Sequence, residues 1–195
     1  DAWQLNNWEA YRDVTRLGRK TRLSEAQRRI LWTIFDQLRL RLKEGNLLTE
    51  AGLFSRLAAH FSENDNRPFD HCVVDEAQDI NVPQLRFLAA LGGGRPNALF
   101  FAGDLGQRIF QQAFSWKAIG IDIRGRARTL RINYRTSHQI RKQADRLLGP
   151  ELADVDGNTE NRRGAMSVFN GPDPMIIASA TPEKEIEVVS AWLKE

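Results

Sequence analysis

The sequence predicts an α/β protein whose strands form parallel sheets, preceded by a helical segment. Apolar residues recur at helical spacing through roughly the first sixty residues, so that part of the chain is expected to be helical. From Phe69 onward, short apolar runs alternate with helical patterns, as they do where crossover helices join parallel strands. Polar residues follow directly after three of these runs, and open parallel sheets bind ligands at the carboxyl ends of their strands.

The first helices are predicted from their caps and their apolar spacing. Residues 24–27 (Ser-Glu-Ala-Gln) form a capping-box pattern that begins one helix, and Gly45 ends it. Thr49 begins the next helix. The residues expected on the inner faces of these two helices are Ile30, Leu31, Ile34, Phe35, Leu38, Leu42, Leu53, Phe54, Leu57, Ala58 and Phe61. The basic residues from Arg12 to Arg29 are interpreted as a solvated helical face rather than a binding surface.

The alternating region predicts four strands and the helices that follow them. The strands are expected at residues 71–74, 97–102, 128–132 and around 175–178. The helices are expected to begin at Asn81, at Thr136 or Ser137, and at Thr181. Glycines at 92–94 end the first of these helices, and residues 149–163 are expected to be a loop. The last helix is expected to bury Ile186, Val189 and Leu193.

The bulk composition is that of an ordinary globular protein. The chain has 195 residues, 42% of them hydrophobic and 27% charged, and its formal charge of +3 permits a nucleic-acid partner without arguing for one. A single cysteine, Cys72, excludes a disulfide framework and indicates a reducing compartment, so a cytoplasmic location is expected. No apolar stretch approaches the roughly 20 residues that span a bilayer, so no membrane partner is expected. The three histidines lack ligand spacing, so no zinc site is predicted.

The first polar cluster follows the strand predicted at residues 71–74. Asp75 and Glu76 end this apolar run, although burying unpaired carboxylates is costly. We interpret the pair as a nucleotide site, in which Asp75 holds Mg²⁺ and Glu76 orients or deprotonates the water that attacks the γ-phosphate. The alternative is an acidic helix N-terminus, where carboxylates favour the helix dipole. Gln78 and Asp79 lie within one turn and suit a site that senses phosphate and passes that state onward.

The second cluster, Gly-Asp-Leu-Gly-Gln at residues 103–107, lies just past the strand predicted at 97–102. In a parallel sheet this position falls at the carboxyl edge, beside the first cluster. Gln107 can hydrogen-bond either a γ-phosphate or the attacking water. The alternative is a turn in which Asp104 caps the next helix.

The third cluster, Asn133-Tyr134-Arg135, directly follows the strand predicted at 128–132. An arginine at this position can stabilise charge on a transferring phosphoryl group. Tyr134 offers a flat face for an adenine base.

The three clusters in this order are far more specific than any one of them. With them the chain resembles the UvrD/Rep-like superfamily 1 DNA helicases. That family carries an Asp-Glu-x-Gln-Asp box, then Gly-Asp-x-x-Gln, then Asn-Tyr-Arg-(Ser/Thr). The sequence supplies all three at residues 75–79, 103–107 and 133–136. The pair Ile109-Phe110 also matches the aliphatic and aromatic residues that usually follow the second box.

The resemblance implies a site for ATP and Mg²⁺, with roles for individual residues. Asp75 would bind Mg²⁺, Glu76 would be the hydrolytic base, with contact to the metal through water, and Gln107 would contact the γ-phosphate region. Arg135 would supply charge to the transition state, and Tyr134 would pack on adenine. The residues that would couple these groups are Gln78, Asp79 and Asp104.

The resemblance also implies single-stranded DNA as a partner. Family members stack bases on an aromatic residue just beyond the second box, and residues 114–117 (Phe-Ser-Trp-Lys) resemble that segment after a few extra residues. Trp116 would be the stacking platform and Lys117 a phosphate contact. The alternative for Trp116 is a core or interface position. Arg124, Arg126 and Arg128 are further candidates for phosphate contacts.

The resemblance divides the chain into three parts of a RecA-like architecture, the P-loop NTPase type. Residues 1–62 would be a helical insertion of the first motor domain, 63–127 its C-terminal half, and 128–195 the start of the second RecA-like domain. The sequence contains no Gly-x-x-x-x-Gly-Lys-(Ser/Thr) loop, since Gly-Arg-Lys-Thr at residues 18–21 lacks the earlier glycine and a leading strand. The chain is therefore expected to be an internal piece of a helicase, inactive without the remainder.

Two other interpretations stay open. The chain could be a catalytically inert module that binds nucleic acid or protein on a degenerate helicase scaffold, and a phosphate-binding loop upstream would decide against it. An ABC-type ATPase also ends a strand in Asp-Glu, but that class offers no Asn-Tyr-Arg after a third strand.

Overall fold

A computed structural model of the protein describes residues 4–14, 23–108, 114–147, 149 and 151–194. The chain forms two compact units, of which the first contains Asp1–Arg128 and Glu151–Glu160 and the second contains Thr129–Pro150 and Asn161–Glu195. The pair Ile109-Phe110, residues 18–21 and the middle of the basic run between Arg12 and Arg29 lie outside the described residues.

The first unit begins with three helices, α1 (Trp8–Asp13), α2 (Glu25–Glu44) and α3 (Glu50–Glu63). The predicted capping box at the start of α2 is confirmed, because the Ser24 hydroxyl accepts from the backbone amide of Gln27, whose side chain accepts in return from the Ser24 amide. The C-cap at Gly45 and the N-cap at Thr49 are also confirmed.

The predicted inner face of α2 is wrong, because this helix has no buried residue. Ile30, Ile34 and Leu38 are 65%, 54% and 52% exposed. The physical reason is that α2 packs chiefly against the short α1, which covers only part of its apolar stripe. None of the described helices, this 20-residue one included, is long and apolar enough to cross a membrane.

A parallel two-stranded sheet and a fourth helix follow. The strands β1 (Cys72–Val74) and β2 (Leu99–Phe101) pair in parallel, with Cys72 opposite Leu99 and Val74 opposite Phe101. Between them runs α4 (Val82–Gly92), which has the predicted Asn81 cap and Pro83 in its first turn. It ends at Gly93, whose φ of 57° lies in the left-handed region that glycine adopts readily. The predicted parallel pairing is therefore confirmed, although both strands are shorter than expected.

The core of the first unit lies under the carboxyl ends of these strands. Its buried members come from the turn after β1, from α4 and from the segment beyond β2, and they are Ala77, Ile80, Val82, Leu85, Phe114 and Trp116. On the other side of α4, α3 packs through aromatic rings, with the centroids of Phe54 and Phe61 at 5.5 and 6.0 Å from that of Phe87. This packing supports the ends of β1 and β2, and with them the first two polar clusters.

A short hairpin also belongs to the first unit. Its strands are β4 (Glu151–Ala153) and β5 (Thr159–Asn161), so the loop predicted at residues 149–163 is wrong for these two segments. Asp154 closes the turn by accepting from the backbone amides of Asp156 and Asn158, at 3.0 and 2.8 Å. The sequence shows this turn chemistry in its Asp, Asn and Gly residues but gives little strand signal beside it.

The second unit contains a parallel pair of strands and two helices. Strand β3 (Ile132–Asn133) pairs with β6 (Met166–Ser167), with Ile132 opposite Met166. Helix α5 (His138–Ala144) is capped by Ser137, the second of the two predicted caps, and α6 (Pro182–Trp192) is capped by Thr181 as predicted.

Two predictions for the second unit are wrong. No strand forms at residues 175–178, because β3 takes residues 166–167 as its partner, and Met175, Ile176 and Ile177 are exposed. Helix α6 also leaves Ile186, Val189 and Leu193 exposed, at 66%, 47% and 71%, because no described surface of this unit covers the apolar stripe of the helix. The third strand is likewise reduced from 128–132 to two residues.

Candidate nucleotide-binding edge of the first unit

The first two polar clusters lie at one edge of the β1–β2 sheet. Because the strands are parallel, the residues after Val74 and after Phe101 leave the sheet on the same side. The backbone ties the two exits together, since the Ala102 amide donates to the Val74 carbonyl and the Ala77 amide donates to the Ala102 carbonyl, each at 2.8 Å. The clusters at 75–79 and 103–107 are therefore neighbours, as the sequence predicts.

Glu76 adopts a backbone conformation that is uncommon for a residue with a side chain. Its φ and ψ are 51° and 42°, in the left-handed region, which costs a non-glycine residue on the order of 1 kcal/mol. The Asp75 carboxylate accepts from the Glu76 amide at 2.9 Å, which supports this turn. As a result the chain bends sharply after β1, with both carboxylates exposed while Ala77 turns into the core.

Gln78 links the two clusters from below. Its side chain is buried, at 4% exposure, and its amide nitrogen donates to Glu76 Oε2 at 2.6 Å. Its side-chain oxygen accepts from the backbone amide of Asp104 at 3.0 Å. Gly103 makes this approach possible, because a Cβ there would lie 2.6 Å from Gln78 Oε1 and 3.0 Å from the Ala77 nitrogen.

The second cluster holds its own polar groups in place. Asp104 accepts from the Gly106 amide at 2.8 Å and from the Gln107 side-chain nitrogen at 3.0 Å. The predicted cap by Asp104 therefore serves a single 3-10 turn, Leu105–Gln107, and it orients the exposed Gln107 amide. In the first cluster, the exposed Asp79 closes a similar turn by donating its amide to the Glu76 carbonyl at 2.9 Å.

Trp116 occupies a core position, the alternative that the sequence left open. It is 6% exposed, and its ring contacts those of Phe101 and Phe114 edge-on, with centroids 5.2 and 5.1 Å apart. A ring enclosed in this way presents no face to a base in this conformation. The adjacent Lys117 is exposed.

The third cluster lies in the second unit, on the turn after β3. Asn133 Oδ1 accepts from the backbone amides of Arg135 and Thr136, at 2.8 and 2.9 Å. This turn leaves Tyr134 73% exposed, and Arg135 is also exposed. Asn133 therefore fixes the backbone from which both side chains project.

The sequence matches the UvrD/REP helicase N-terminal domain family over residues 6–117. The chain belongs to this family. The resemblance inferred from the three clusters is thus confirmed, and the matched range contains the first two of them. No curated protein matches the chain.

A UvrD/REP-type site must accommodate Mg²⁺ with a nucleotide. Among the described residues no group of three or more His, Cys, Asp or Glu side chains could enclose a metal ion. Mg²⁺ at nucleotide sites keeps several waters and takes one or two carboxylates plus phosphate oxygens, so it needs no such group. The exposed Asp75 and Glu76 at the sheet edge fit this donor set.

Two charged residues of the first unit, Arg108 and Asp156, were not among the residues predicted from the sequence. The guanidinium of Arg108 lies 4.4 Å from the Phe114 ring centroid, and burial lowers the pKa of Arg108 despite attraction to Asp154. Asp156, on the turn of the β4–β5 hairpin, accepts from the Ser115 hydroxyl and from the Lys117 amide. For Asp156, the available signal was that residues 151–160 contain four acidic residues and no basic one.

Proposed function

We propose that this chain is part of an ATP-dependent DNA helicase that couples ATP hydrolysis to movement on single-stranded DNA. The observation that carries the proposal is the meeting of Asp75 and Glu76 with Asp104 and Gln107 at one sheet edge, joined by the buried Gln78. Family membership supports a helicase-type function in general. The single free cysteine, Cys72, agrees with a cytoplasmic location as part of the same proposal.

In this proposal the side chains at the edge of the β1–β2 sheet have separate roles in ATP hydrolysis. Glu76 is the general base, because its carboxylate is exposed to solvent yet held by the Gln78 amide. Gln107 contacts the γ-phosphate with the amide that Asp104 orients. Asp75 holds Mg²⁺, which when bound neutralises negative charge on the phosphates.

Coupling is assigned to the hydrogen bonds beneath the edge. A change in the position of the Glu76 carboxylate alters the acceptor of the Gln78 amide, and Gln78 in turn holds the Asp104 amide. Asp79 closes the turn that carries Gln78. Hydrolysis of the γ-phosphate would therefore change the position of the loop after β2 through these hydrogen bonds alone.

The third polar cluster supplies the remaining roles in this proposal. Arg135 supplies positive charge to the transferring phosphoryl group, and Tyr134 packs on adenine. Their exposure on a turn fixed by Asn133 supports these roles. Residues 1–62, 63–127 and 128–195 are proposed as a helical insertion, the later half of one RecA-like domain and the start of the next.

For DNA, Lys117 is the residue we propose as a phosphate contact, because it is exposed and adjoins the edge through Trp116 and Phe101. Trp116 itself is assigned to the core, so the base-stacking role is not part of the proposal for this conformation.

The base assignment is tested by Glu76→Gln in a full-length helicase that includes this chain and a phosphate-binding loop. ATP turnover driven by single-stranded DNA should be abolished while ATP binding persists, and Glu63→Gln at the exposed end of α3 serves as the control. Unchanged turnover in Glu76→Gln would rule out the assignment. The 195-residue chain alone should hydrolyse little or no ATP, since its sequence has no such loop, and robust DNA-stimulated hydrolysis would refute that.

The second candidate is an inert binding module on the same scaffold, favoured by the absence of a phosphate-binding loop in this sequence. It predicts that any longer form of the protein shows no ATP turnover and that Glu76→Gln leaves nucleic-acid binding unchanged. Finding a Gly-Lys-Thr/Ser loop upstream in the same gene would decide for the motor.

A further inference from the structure

The β4–β5 hairpin is unusual in its charge and in its place in the chain. Its residues 151–160, here named the acidic hairpin, include Glu151, Asp154, Asp156 and Glu160 and no lysine or arginine. The flanking segments on both sides belong to the second unit, yet the acidic hairpin belongs to the first. Contacts with residues of the first unit therefore keep the acidic hairpin in that unit.

The holding contacts centre on Asp156. One carboxylate oxygen accepts from the Ser115 hydroxyl and the other from the Lys117 amide at 3.1 Å. Burial acts to raise the pKa of Asp156, but these hydrogen bonds, with a further one from the Trp116 amide, outweigh it and the net shift is downward. The carboxylate is therefore bound as an anion, and the cations facing it are Lys117 and Arg124.

A third cation near the hairpin, Arg108, has guanidinium nitrogens without hydrogen bonds in the part of the chain that the structure describes. Arg108 stacks on Phe114, and its Nε and Nη2 atoms are buried without a hydrogen-bond partner among the described residues. Asp154 attracts this charge, but its oxygens serve the turn of the hairpin. Buried donors left unsatisfied are costly, so Arg108 can take a further acceptor such as a phosphate oxygen.

We propose that Arg108, Ser115 and Lys117 form a polyanion-binding surface that the acidic hairpin occupies, and that single-stranded DNA must displace the hairpin to bind there. A hydroxyl, a backbone amide and cationic side chains are the groups that bind phosphate oxygens in nucleic acids. Here the Ser115 hydroxyl and the Lys117 amide donate to a carboxylate instead, and the charges of Lys117 and Arg124 attract it. The inference rests on the proposed function, because Lys117 is the DNA contact proposed there. The acidic hairpin is thus an autoinhibitory element of the same surface.

Displacement predicts that weakening the hairpin strengthens DNA binding. Asp156→Asn keeps the shape of the side chain but removes the charge that the surface recognises, so single-stranded DNA should bind about tenfold more tightly. Each phosphate newly contacted should steepen the dependence of log affinity on log salt by about 0.7.

The experiment measures binding of a fluorescently labelled oligothymidylate to the 195-residue chain by anisotropy, at several salt concentrations. The variants are Asp156→Asn, Asp156→Ala as a second way to remove the contact, and Lys117→Ala, which should weaken binding. Asp173→Asn, an exposed change of the same charge in the second unit, is the control and should stay within about twofold of wild type. Hydrogen exchange at the Lys117 amide reports release of the hairpin directly.

The outcomes separate the hairpin from the DNA function. Tighter binding by Asp156→Asn, with faster exchange at Lys117, supports the inference. If Asp156→Asn and Asp156→Ala expose the Lys117 amide but bind DNA as wild type does, the autoinhibitory role is overturned and the proposed function stands. If wild type and all variants fail to bind DNA at low salt, the inference and the proposed DNA contact fall together.

Discussion

The side-chain oxygen of Gln78 accepts a hydrogen bond from the backbone amide of Asp104 at a distance of 3.0 Å. The same side chain donates to Glu76 at 2.6 Å, so one buried amide joins the ends of two neighbouring strands. Glutamine suits this position because it carries a donor and an acceptor on one rigid group, whereas a carboxylate would set like charge against Glu76. The coupling role predicted for Gln78 would act through these two hydrogen bonds, and it stays a prediction.

Replacement of this residue, Gln78→Ala, should lower the free energy of unfolding of the first unit by about 1–3 kcal/mol. The loss arises because the Asp104 amide keeps its place without its acceptor. Urea denaturation followed by circular dichroism measures the change. Gln37→Ala, on the exposed face of α2, is the matched control and should change stability by less than about 0.5 kcal/mol. Equal stability of the two variants would show that the bridge contributes nothing.

A second prediction concerns the glycine beneath the bridge. Gly103→Ala would place a Cβ 2.6 Å from Gln78 Oε1 and 3.0 Å from the Ala77 nitrogen, so the bridge must shift. We expect a loss of about 1–3 kcal/mol in stability. In the double variant with Gln78→Ala the closest contact is removed. The double variant should therefore lose less stability than the sum of the losses in the two single variants. If the two losses of stability add, the Cβ of the Gly103→Ala variant clashes with the backbone at Ala77 rather than with the Gln78 side chain.

The sequence predicts the candidate site better than it predicts the surrounding faces. Asp75, Glu76 and the 103–107 cluster meet because parallel pairing puts successive strand ends on one side, a rule that needs no side-chain detail. The left-handed backbone of Glu76 was beyond prediction, because glutamate gives no local signal for that conformation. Trp116 illustrates the same limit, since an aromatic residue beside a basic one suits a core position and a binding surface equally well.

Helix ends were also predictable, whereas burial was not. The side chains of Ser24, Asn81 and Thr181 each accept from the backbone amide three residues further on, so local sequence decides these caps. The burial of Ile34 or Ile186 depends on a partner surface, and helical spacing marks a stripe without saying what covers it. The prediction of a strand at 175–178 was wrong for a similar reason, because a strand forms there only if β3 pairs with that segment, and β3 pairs with β6 instead.

The turn that presents Tyr134 and Arg135 can be tested through its anchor. Asn133→Ala removes the oxygen that accepts from the amides of Arg135 and Thr136, so the turn should loosen and exchange at both amides should accelerate about tenfold. Asn133→Asp keeps an acceptor in the same place and should restore protection. Hydrogen exchange followed by NMR provides the measurement. Equal protection in wild type and Asn133→Ala would show that the tertiary fold, not the side chain, holds the turn.

Acid should release the acidic hairpin from the first unit. The pKa of Asp156 is lowered in the docked state, so its contribution to docking is complete above the ordinary aspartate pKa of about 4 and is lost as the pH falls through the docked value. The cations that face this carboxylate are Lys117 and Arg124.

The measurement is the NMR signal of the Lys117 amide, which donates to Asp156, recorded between pH 7 and pH 2.5. In wild type this signal should move toward its undocked position below about pH 4, because a protonated carboxyl accepts more weakly. Asp156→Asn removes the titrating group and should give a signal that hardly changes over the same range. If both proteins show the same transition, the acid sensitivity belongs to other carboxylates, and the hairpin is held by its apolar and backbone contacts rather than by Asp156.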